Sequence, residues 1–186
     1  MLILASGSPR RRELLSIFTS DFTVRVSDVE ETVPPGLTPA ETVQALAKCK
    51  GAAVWETAQP GDTLIAADTV VVIDGEILGK PQDAADAAAM LRRLAGRTHT
   101  VYTGVWLKTE KAERSFYEAT EVEFYPLTEK EIADYIATGE PFDKAGAYGI
   151  QQKGALLVRG LKGDYFNVVG FPIARVAREL RALGTV

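Results

Sequence analysis

The hydrophobic and polar positions along the chain follow two periods, and their order predicts a protein with both strands and helices. A short apolar run at residues 2–5 predicts a buried strand, and the mostly apolar stretch at residues 62–73 also predicts a strand. Apolar residues spaced three and four apart predict helices, as at Leu14, Leu15 and Phe18. Strands and helices alternate in the first half and hairpins follow later, so we expect an α/β protein with a mixed sheet.

Local signals place the ends of several of these elements. Thr38, Pro39 and Glu41 form a capping box that begins a helix, and Asp74-Gly75 is a strong hairpin signal. The predicted order is strand 2–5, helix 10–18, strand 22–26, helix 38 to about 57, strand 62–73, its hairpin partner 76–78, helix 83–95, strands 98–109 and 113–125, helix 128–139, an irregular loop 140–149, strands 155–159 and 165–169, and a helix from 172.

Composition and charge narrow the class of protein. The 186 residues are 46% hydrophobic and 25% charged, which is typical of one soluble globular domain, and we expect a single domain over residues 1–186. The net charge of −4 gives no general attraction for nucleic acid or an anionic membrane. No apolar run approaches the ~20 residues that span a bilayer, and no basic leader precedes residue 2. We therefore expect a cytoplasmic protein without a nucleic-acid or membrane partner.

Two residue types are almost absent, and their scarcity excludes several kinds of site. Cys49 is the only cysteine and His99 the only histidine, so the chain has no internal disulfide, no cysteine-rich zinc site and no multi-histidine metal site. A catalytic metal would therefore be held by oxygen ligands. This favours magnesium or manganese bound by carboxylates.

The segment Ser6-Gly-Ser-Pro-Arg-Arg-Arg12 is the first candidate for chemistry, because it lies between a predicted strand and a predicted helix. Backbone N–H groups, hydroxyls and the positive end of the helix dipole meet at such a turn, and anions bind there. Three arginines in the first turn oppose the dipole, and a bound anion would offset that cost. The alternative is a solvated basic turn, so this segment alone favours a phosphate site only slightly.

Asp68 is the second candidate, since it is the one charged residue in an apolar strand of ten residues. Burying an unpaired carboxylate is costly, so Asp68 must face a cleft, pair with a cation or bind a metal. A strand bend or a loop cap is the alternative. Lys50 and Lys80, taken singly, are typical surface charges, and spacing alone does not show whether they converge on Asp68.

Five separated blocks of sequence resemble, in order, the successive signatures of the Maf family of nucleotide pyrophosphatases. The blocks are Leu4-Ala-Ser-Gly-Ser-Pro-Arg-Arg11, Ala67-Asp-Thr-Val70, Gly79-Lys-Pro81, Asp143-Lys-Ala-Gly-Ala-Tyr-Gly-Ile-Gln151 and Val168-Val-Gly-Phe-Pro172. The resemblance implies a mixed, elongated sheet flanked by helices, with two lobes around a central cleft, similar to the fold of the inosine triphosphatases. It implies hydrolysis of a nucleoside triphosphate to the monophosphate and pyrophosphate with Mg²⁺ or Mn²⁺.

The resemblance also assigns roles to individual residues. Asp68 would accept the proton of the attacking water, and Glu31 would join Asp68 around the metal. The triphosphate would be held by Ser8, Arg10, Arg11, Lys50 and Lys80. Such a division suits phosphoryl transfer, which depends mostly on positioning and charge neutralisation.

Further residues indicate which branch of the family, defined by its substrates, the sequence resembles. Thr69 and the run ending in Gln151 resemble the dTTP/UTP-specific branch, in which Arg10, Thr69 and Gln151 would tune specificity. A side-chain amide can donate to and accept from the edge of a pyrimidine. Lys153 departs from the family pattern, so activity on CTP or modified pyrimidine nucleotides stays open.

Two further expectations come from the family. Its members commonly form homodimers, and the sequence itself leaves the oligomeric state of this chain open. The family takes its name from septum formation, so the alternative function is a regulatory inhibitor of septation that acts by binding nucleotide or a partner without turnover.

Overall fold

The computed structural model describes residues 1–28 and 32–185, and in that part of the chain it contains seven strands and six α-helices. The strands are β1 (Leu2–Ala5), β2 (Thr23–Val24), β3 (Thr63–Ile73), β4 (Glu76–Leu78), β5 (Thr98–Lys108), β6 (Glu113–Phe124) and β7 (Val158–Lys162). The helices are α1 (Pro9–Phe18), α2 (Pro39–Trp55), α3 (Ala84–Leu94), α4 (Glu129–Ala137), α5 (Tyr165–Val169) and α6 (Ile173–Ala182). Short 3-10 helices span Glu140–Asp143, Ala145–Ala147 and Gln152–Leu157.

The described strands form a mixed sheet in the order β2-β1-β3-β5-β6-β7, with β4 paired to β3. Strand β1 is parallel to both β2 and β3, whereas the pairs β3–β4 and β6–β7 are antiparallel. This confirms the mixed α/β class expected from the sequence. Helices α1 to α4 begin and end within two residues of their predicted bounds, and α6 begins one residue after its predicted start.

The chain divides into two compact units. Unit 1 comprises Met1–Asp68, Thr103–Glu118 and Gly170–Val186, and unit 2 comprises Thr69–Tyr102 and Ala119–Val169. Strands β3, β5 and β6 therefore each contribute residues to both units. A single domain with a central cleft stays a prediction.

The core of unit 1 depends on the close approach of α2 to the sheet. A Cβ atom added at Gly51 of α2 would lie 2.5 Å from the ring of Trp106 and 2.8 Å from Ala66 Cβ. Gly104 in β5 is equally restricted, because its added Cβ would lie 2.4 Å from the backbone carbonyl of Val43. Glycines at the two contact points let the helix lie nearer to the strands than side chains would allow.

Unit 2 has its own core, in which α3 and α4 pack against strand residues. Leu91 and Leu94 of α3 and Ile132 of α4 are fully or almost fully buried. Phe124 of β6 and Tyr148 join the same apolar cluster. This core supports the glycine-bearing loop that follows α4.

The sequence predicted a strand at residues 165–169, and this was wrong, since α5 occupies Tyr165–Val169. The aromatic and β-branched residues there favour a strand locally. The Asp164 side chain, however, accepts a hydrogen bond from the Phe166 N–H at 2.8 Å, which begins a helical turn. Asn167 is fully buried and donates to Thr120 Oγ1 at 2.9 Å, so tertiary hydrogen bonds decide the conformation.

The predicted strand at residues 155–159 was also wrong in its bounds, because a 3-10 helix covers Gln152–Leu157 and β7 begins afterwards. The Glu140 carboxylate accepts hydrogen bonds from the N–H groups of Lys153 and Gly154, at 3.2 Å each. These contacts hold the segment in a turn. They join residues 13 and 14 positions apart, which periodicity within the segment does not reveal.

We predict that Gly51→Ala lowers the free energy of unfolding by ~1–2 kcal/mol. Alanine gains up to about 1 kcal/mol of helix propensity, but the added methyl overpacks Trp106 and Ala66, which costs about 1–3 kcal/mol. Urea denaturation measures the difference. Gly160→Ala is the control, because a Cβ at Gly160 meets nothing within 4 Å. Equal stability of Gly51→Ala and the native chain would contradict the close approach.

Candidate functional site

The candidate site in unit 1 begins where two parallel strands run toward the same edge of the sheet. Ala5 at the end of β1 pairs with Ala66 of β3. The loop of residues 6–8 therefore leaves β1 at the level where β3 reaches Asp68. Ligands in α/β proteins bind at the carboxyl ends of parallel strands, and the chemistry-bearing residues of unit 1 lie at this end.

Ser8 is the N-cap of α1 and organises the loop before it. Its Oγ accepts a hydrogen bond from the Arg11 N–H at 3.5 Å, and its own N–H donates to Ser6 Oγ at 3.3 Å. Pro9 fills the first helical position, where the missing N–H has no cost. The first turn of α1 carries arginines and no acidic residue, and anion binding at this helix N-terminus stays a prediction.

The two predicted phosphate-binding arginines follow directly in α1, and both are half-buried. The Nε of Arg11 donates to the backbone carbonyl of Gly170 at 2.9 Å, and its Nη1 donates to Ser6 Oγ at 3.2 Å. Arg10 precedes Arg11 in the same first turn. The structure therefore brings Ser6, Arg11 and Gly170 together, although the sequence reasoning assigned no role to Gly170 beyond its place in a family block.

Asp68 and Lys50 form a largely buried ion pair. Lys50 Nζ lies 2.5 Å from Asp68 Oδ1, and the two side chains are 24% and 13% exposed. Lys50 lies on α2 directly before Gly51, so the close approach of the helix brings its ammonium group to β3. Of the three alternatives expected for Asp68, a cleft, a cationic partner or a metal, the structure shows a cationic partner, Lys50.

The donor set expected for a divalent metal consists of carboxylate oxygens. Glu31, the second predicted ligand, lies outside the described residues. Among residues 1–28 and 32–185 there is no group of three or more His, Cys, Asp and Glu side chains arranged to hold a metal. Magnesium in nucleotide sites commonly uses one or two carboxylates together with substrate phosphates, and such an ion at Asp68 stays a prediction.

The remaining predicted site residues belong to unit 2. Lys80 is exposed after β4, and Thr69 is half-buried in β3. Gln151 is exposed, and its backbone is extended as it enters the 3-10 helix at Gln152–Leu157. The N–H of Gly146 donates to the carbonyl of Gly79 at 3.0 Å, so the loop that leads to Gln151 is joined to the segment that carries Lys80.

Lys144 holds the loop of residues 143–151 in shape. Its Nζ donates to the Glu140 carbonyl at 2.7 Å and to the Asp143 carboxylate at 2.6 Å. A Cβ at Gly149 would lie 2.7 Å from Lys144 Cε, and one at Gly154 would collide with the Gly149 carbonyl oxygen. Close approach therefore requires glycine at position 149 in this loop and at position 154 just after it. In the sequence, only the presence of several glycines in a short segment indicated an irregular loop here.

His99 has a structural role in unit 2. It is 2% exposed, its Nε2 lies 2.7 Å from the Tyr148 hydroxyl, and its ring packs edge-on against Phe124. Its Nδ1 has no hydrogen-bond partner among the described residues. Burial lowers the pKa of His99 to about 4, so the ring is neutral near pH 7. This agrees with the expectation that a histidine at a strand end is structural.

None of the helices in the described part of the chain is long and apolar enough to cross a membrane.

Comparison with known proteins gives a consistent result over nearly the whole chain. The model of the Maf-like protein family matches residues 1–183. A dTTP/UTP pyrophosphatase of Bacillus cytotoxicus is 56% identical over 179 residues, which are 96% of this chain and 93% of that protein. A dTTP/UTP pyrophosphatase of Bacillus pumilus is 51% identical over 183 residues, 98% of this chain and 96% of that protein.

A solved structure shares the fold at much lower sequence identity. The Staphylococcus aureus Ham1 protein superposes with a TM-score of 0.50 and 17% identity, over 66% of this chain and 71% of its own. At this identity the likeness concerns the fold alone.

We predict that His99 makes the protein less stable as the pH falls from 7 to 5. The folded-state pKa of about 4 lies below the ordinary value of 6.5, so the unfolded chain binds the proton more readily and stability is lost over this interval. The contribution of His99 is about 2 kcal/mol between pH 7 and pH 5. Urea unfolding of the native chain and of His99→Gln at both pH values isolates it, because this is the only histidine. An equal loss of stability in both proteins would contradict the assignment.

Proposed function

Because the chain belongs to the Maf-like protein family, we propose that it hydrolyses dTTP and UTP to the nucleoside monophosphate and pyrophosphate. Relatives at 51–56% identity over almost their full length carry the name dTTP/UTP pyrophosphatase, which supports this choice of reaction and substrates. The observation that carries the proposal is the ion pair between Lys50 of α2 and Asp68 of β3, at the level where the loop before α1 begins. A carboxylate and a phosphate-binding turn at one sheet edge are the parts that such a hydrolysis needs.

Binding of the triphosphate is assigned to the cationic and hydroxyl groups predicted from the sequence. In unit 1, Ser8, Arg10 and Arg11 surround the N-terminus of α1, where backbone N–H groups and the helix dipole favour an anion. Lys50 adds an ammonium group, and in unit 2 Lys80 is a further proposed phosphate ligand. Cations held in place before the reaction stabilise the charge that develops in phosphoryl transfer.

Asp68 is the proposed general base. Its carboxylate accepts a proton from a water molecule whose oxygen forms a bond to the α-phosphorus. The bond between the α-phosphorus and the bridging oxygen breaks, and pyrophosphate leaves with the electron pair. Lys50 holds one carboxylate oxygen at 2.5 Å and so fixes the direction of the base.

We also propose that Asp68 and Glu31 hold Mg²⁺ or Mn²⁺ when the substrate is bound. Such an ion would supply positive charge that neutralises the phosphate oxygens and favours the departure of pyrophosphate. Oxygen ligands are the only chemistry available for it, because the chain has one histidine and one cysteine.

Recognition of the nucleobase of the substrate is assigned to Arg10, Thr69 and Gln151. The Gln151 amide can donate to a pyrimidine carbonyl and accept from the ring N–H, a pattern that thymine and uracil share. Cytosine reverses part of this pattern, and rotation of the amide by 180° would accommodate it, so CTP is included in the assay below.

A cytoplasmic location and a homodimer belong to the same proposal. A nucleotide-cleansing enzyme acts where the nucleotide pool lies, and a single half-buried cysteine suits a reducing compartment. Sedimentation of the purified protein would measure the oligomeric state.

We predict that the purified protein, with Mg²⁺ or Mn²⁺, converts dTTP and UTP to the monophosphate and pyrophosphate faster than it converts ATP or GTP. Both products should be identified, with CTP included in the panel. Chelation by EDTA should abolish turnover, and either metal should restore it. Release of orthophosphate and a nucleoside diphosphate would overturn the proposed reaction, since attack would then occur at the γ-phosphorus.

We predict that Asp68→Asn lowers kcat for dTTP by at least ~100-fold, because general-base catalysis contributes typically 10²–10⁴-fold. Nucleotide binding should persist, as measured by calorimetry. Asp134→Asn is the matched control, because Asp134 is exposed and paired only with Lys130 in the contacts described. Near-native turnover by Asp68→Asn would exclude Asp68 as the base.

A further inference from the structure

We propose that the Gly170 carbonyl and the Ser6 hydroxyl are positioning groups that fix the Arg11 guanidinium for phosphate binding. The proposal rests on the proposed function, in which Arg11 is a ligand of the triphosphate. It gives a physical role to Gly170 and to Ser6, neither of which contacts the substrate in that function. All three residues belong to unit 1.

Two hydrogen bonds from different nitrogens of one guanidinium define its orientation. Nε of Arg11 donates to Gly170 O at 2.9 Å, and Nη1 donates to Ser6 Oγ at 3.2 Å. The guanidinium is planar and rigid, so two acceptors on different nitrogens fix both its plane and its rotation. A single acceptor would leave the group free to turn about that contact.

Both acceptors are electrically neutral, and this distinguishes them from carboxylates. A carboxylate at either position would orient Arg11 equally well but would also offset its positive charge. A backbone carbonyl and a hydroxyl orient the side chain while these two contacts leave its net charge unchanged. The two contacts therefore set the direction of the Arg11 N–H groups and add no negative charge beside them.

Ser6 links the arginine to the loop that precedes α1. The residue is 8% exposed, and its Oγ accepts from the Ser8 N–H as well as from Arg11. Ser8 Oγ in turn accepts from the Arg11 N–H. The N-cap and the guanidinium are therefore held through the same hydroxyl, so the two parts of the proposed phosphate site keep a fixed relation.

Gly170 supplies a carbonyl whose direction depends on an unusual backbone. Its φ is +116°, a value that side-chain-bearing residues rarely adopt. The next residue, Phe171, is fully buried, and its carbonyl accepts from the Ile173 N–H at 2.8 Å. The backbone after Gly170 is thus anchored, and replacement of the glycine must turn its carbonyl away or strain the chain.

The experiment is a pair of double-mutant cycles. Ser6→Ala and Gly170→Ala are made in the native chain and in an Arg11→Lys background, because lysine keeps the charge but cannot donate from two fixed nitrogens. The readouts are kcat/KM for dTTP and the affinity for inorganic tripolyphosphate by calorimetry. Each single change should lower both by about 10-fold in the native chain and by no more than about 2-fold beside Arg11→Lys.

Gly184→Ala is the control for backbone strain, since Gly184 also has a positive φ, of 70°, and its added Cβ meets nothing within 4 Å. It should leave both readouts within 2-fold of native. Equal losses in the native and Arg11→Lys backgrounds would overturn the positioning role, because a merely structural change is additive. If Gly170→Ala does not fold, Ser6→Ala, which removes only one oxygen atom, decides the outcome.

The two readouts separate this proposal from the proposed function. If the native protein turns over no nucleotide, the proposed function fails, while the tripolyphosphate cycle still tests whether Ser6 and Gly170 act through Arg11. If turnover is normal and the cycles are additive, the function stands and the positioning role is wrong.

Discussion

The approach of α2 to the sheet is the constraint on which the candidate site depends. Gly51 lets the helix lie against Trp106 and Ala66, and the preceding residue, Lys50, then reaches Asp68 across a distance of 2.5 Å. Burial of either charge alone would be costly, so the helix position and the ion pair require each other. A larger residue at position 51 would separate the two charges and leave the Asp68 carboxylate without this partner in a strand that is otherwise apolar.

The sequence predicted those parts of the fold that depend on local chemistry. The Thr38 capping box and Pro39 place the start of α2 within one residue, because the cap hydrogen bonds join neighbours in the chain. The charge of Asp68 within an apolar run likewise predicted a cleft, a cationic partner or a metal, but it did not decide among them. The prediction of a strand at residues 165–169 was wrong because the structure there depends on a distant contact. Its helix depends on Asp164, which is hydrogen-bonded to Thr120, 44 residues away. Periodicity within the segment contains no information on such a contact.

The backbone conformation of the loop of residues 143–151 also depends on tertiary contacts that the local sequence does not reveal. Gly146 and Ala147 both have positive φ, of 70° and 61°, and Ala147 is fully buried although alanine disfavours that conformation. The surrounding contacts compensate for the strain: Gly146 donates to Gly79 O and lies against Val71. The abundance of glycine predicted an irregular loop, but only the tertiary structure explains which glycines are obligatory and why Gln151 follows at a defined place.

The net charge of −4 does not show that the arginines differ in the groups that they contact. Arg92 and Arg97 each make two short hydrogen bonds to one carboxylate, of Glu129 and Asp74 respectively, so their positive charge is offset where it lies. Arg11 instead makes its two described side-chain hydrogen bonds to neutral oxygens. Because the placement of an arginine at a helix N-terminus is a local feature, the overall charge was a poor guide to this site.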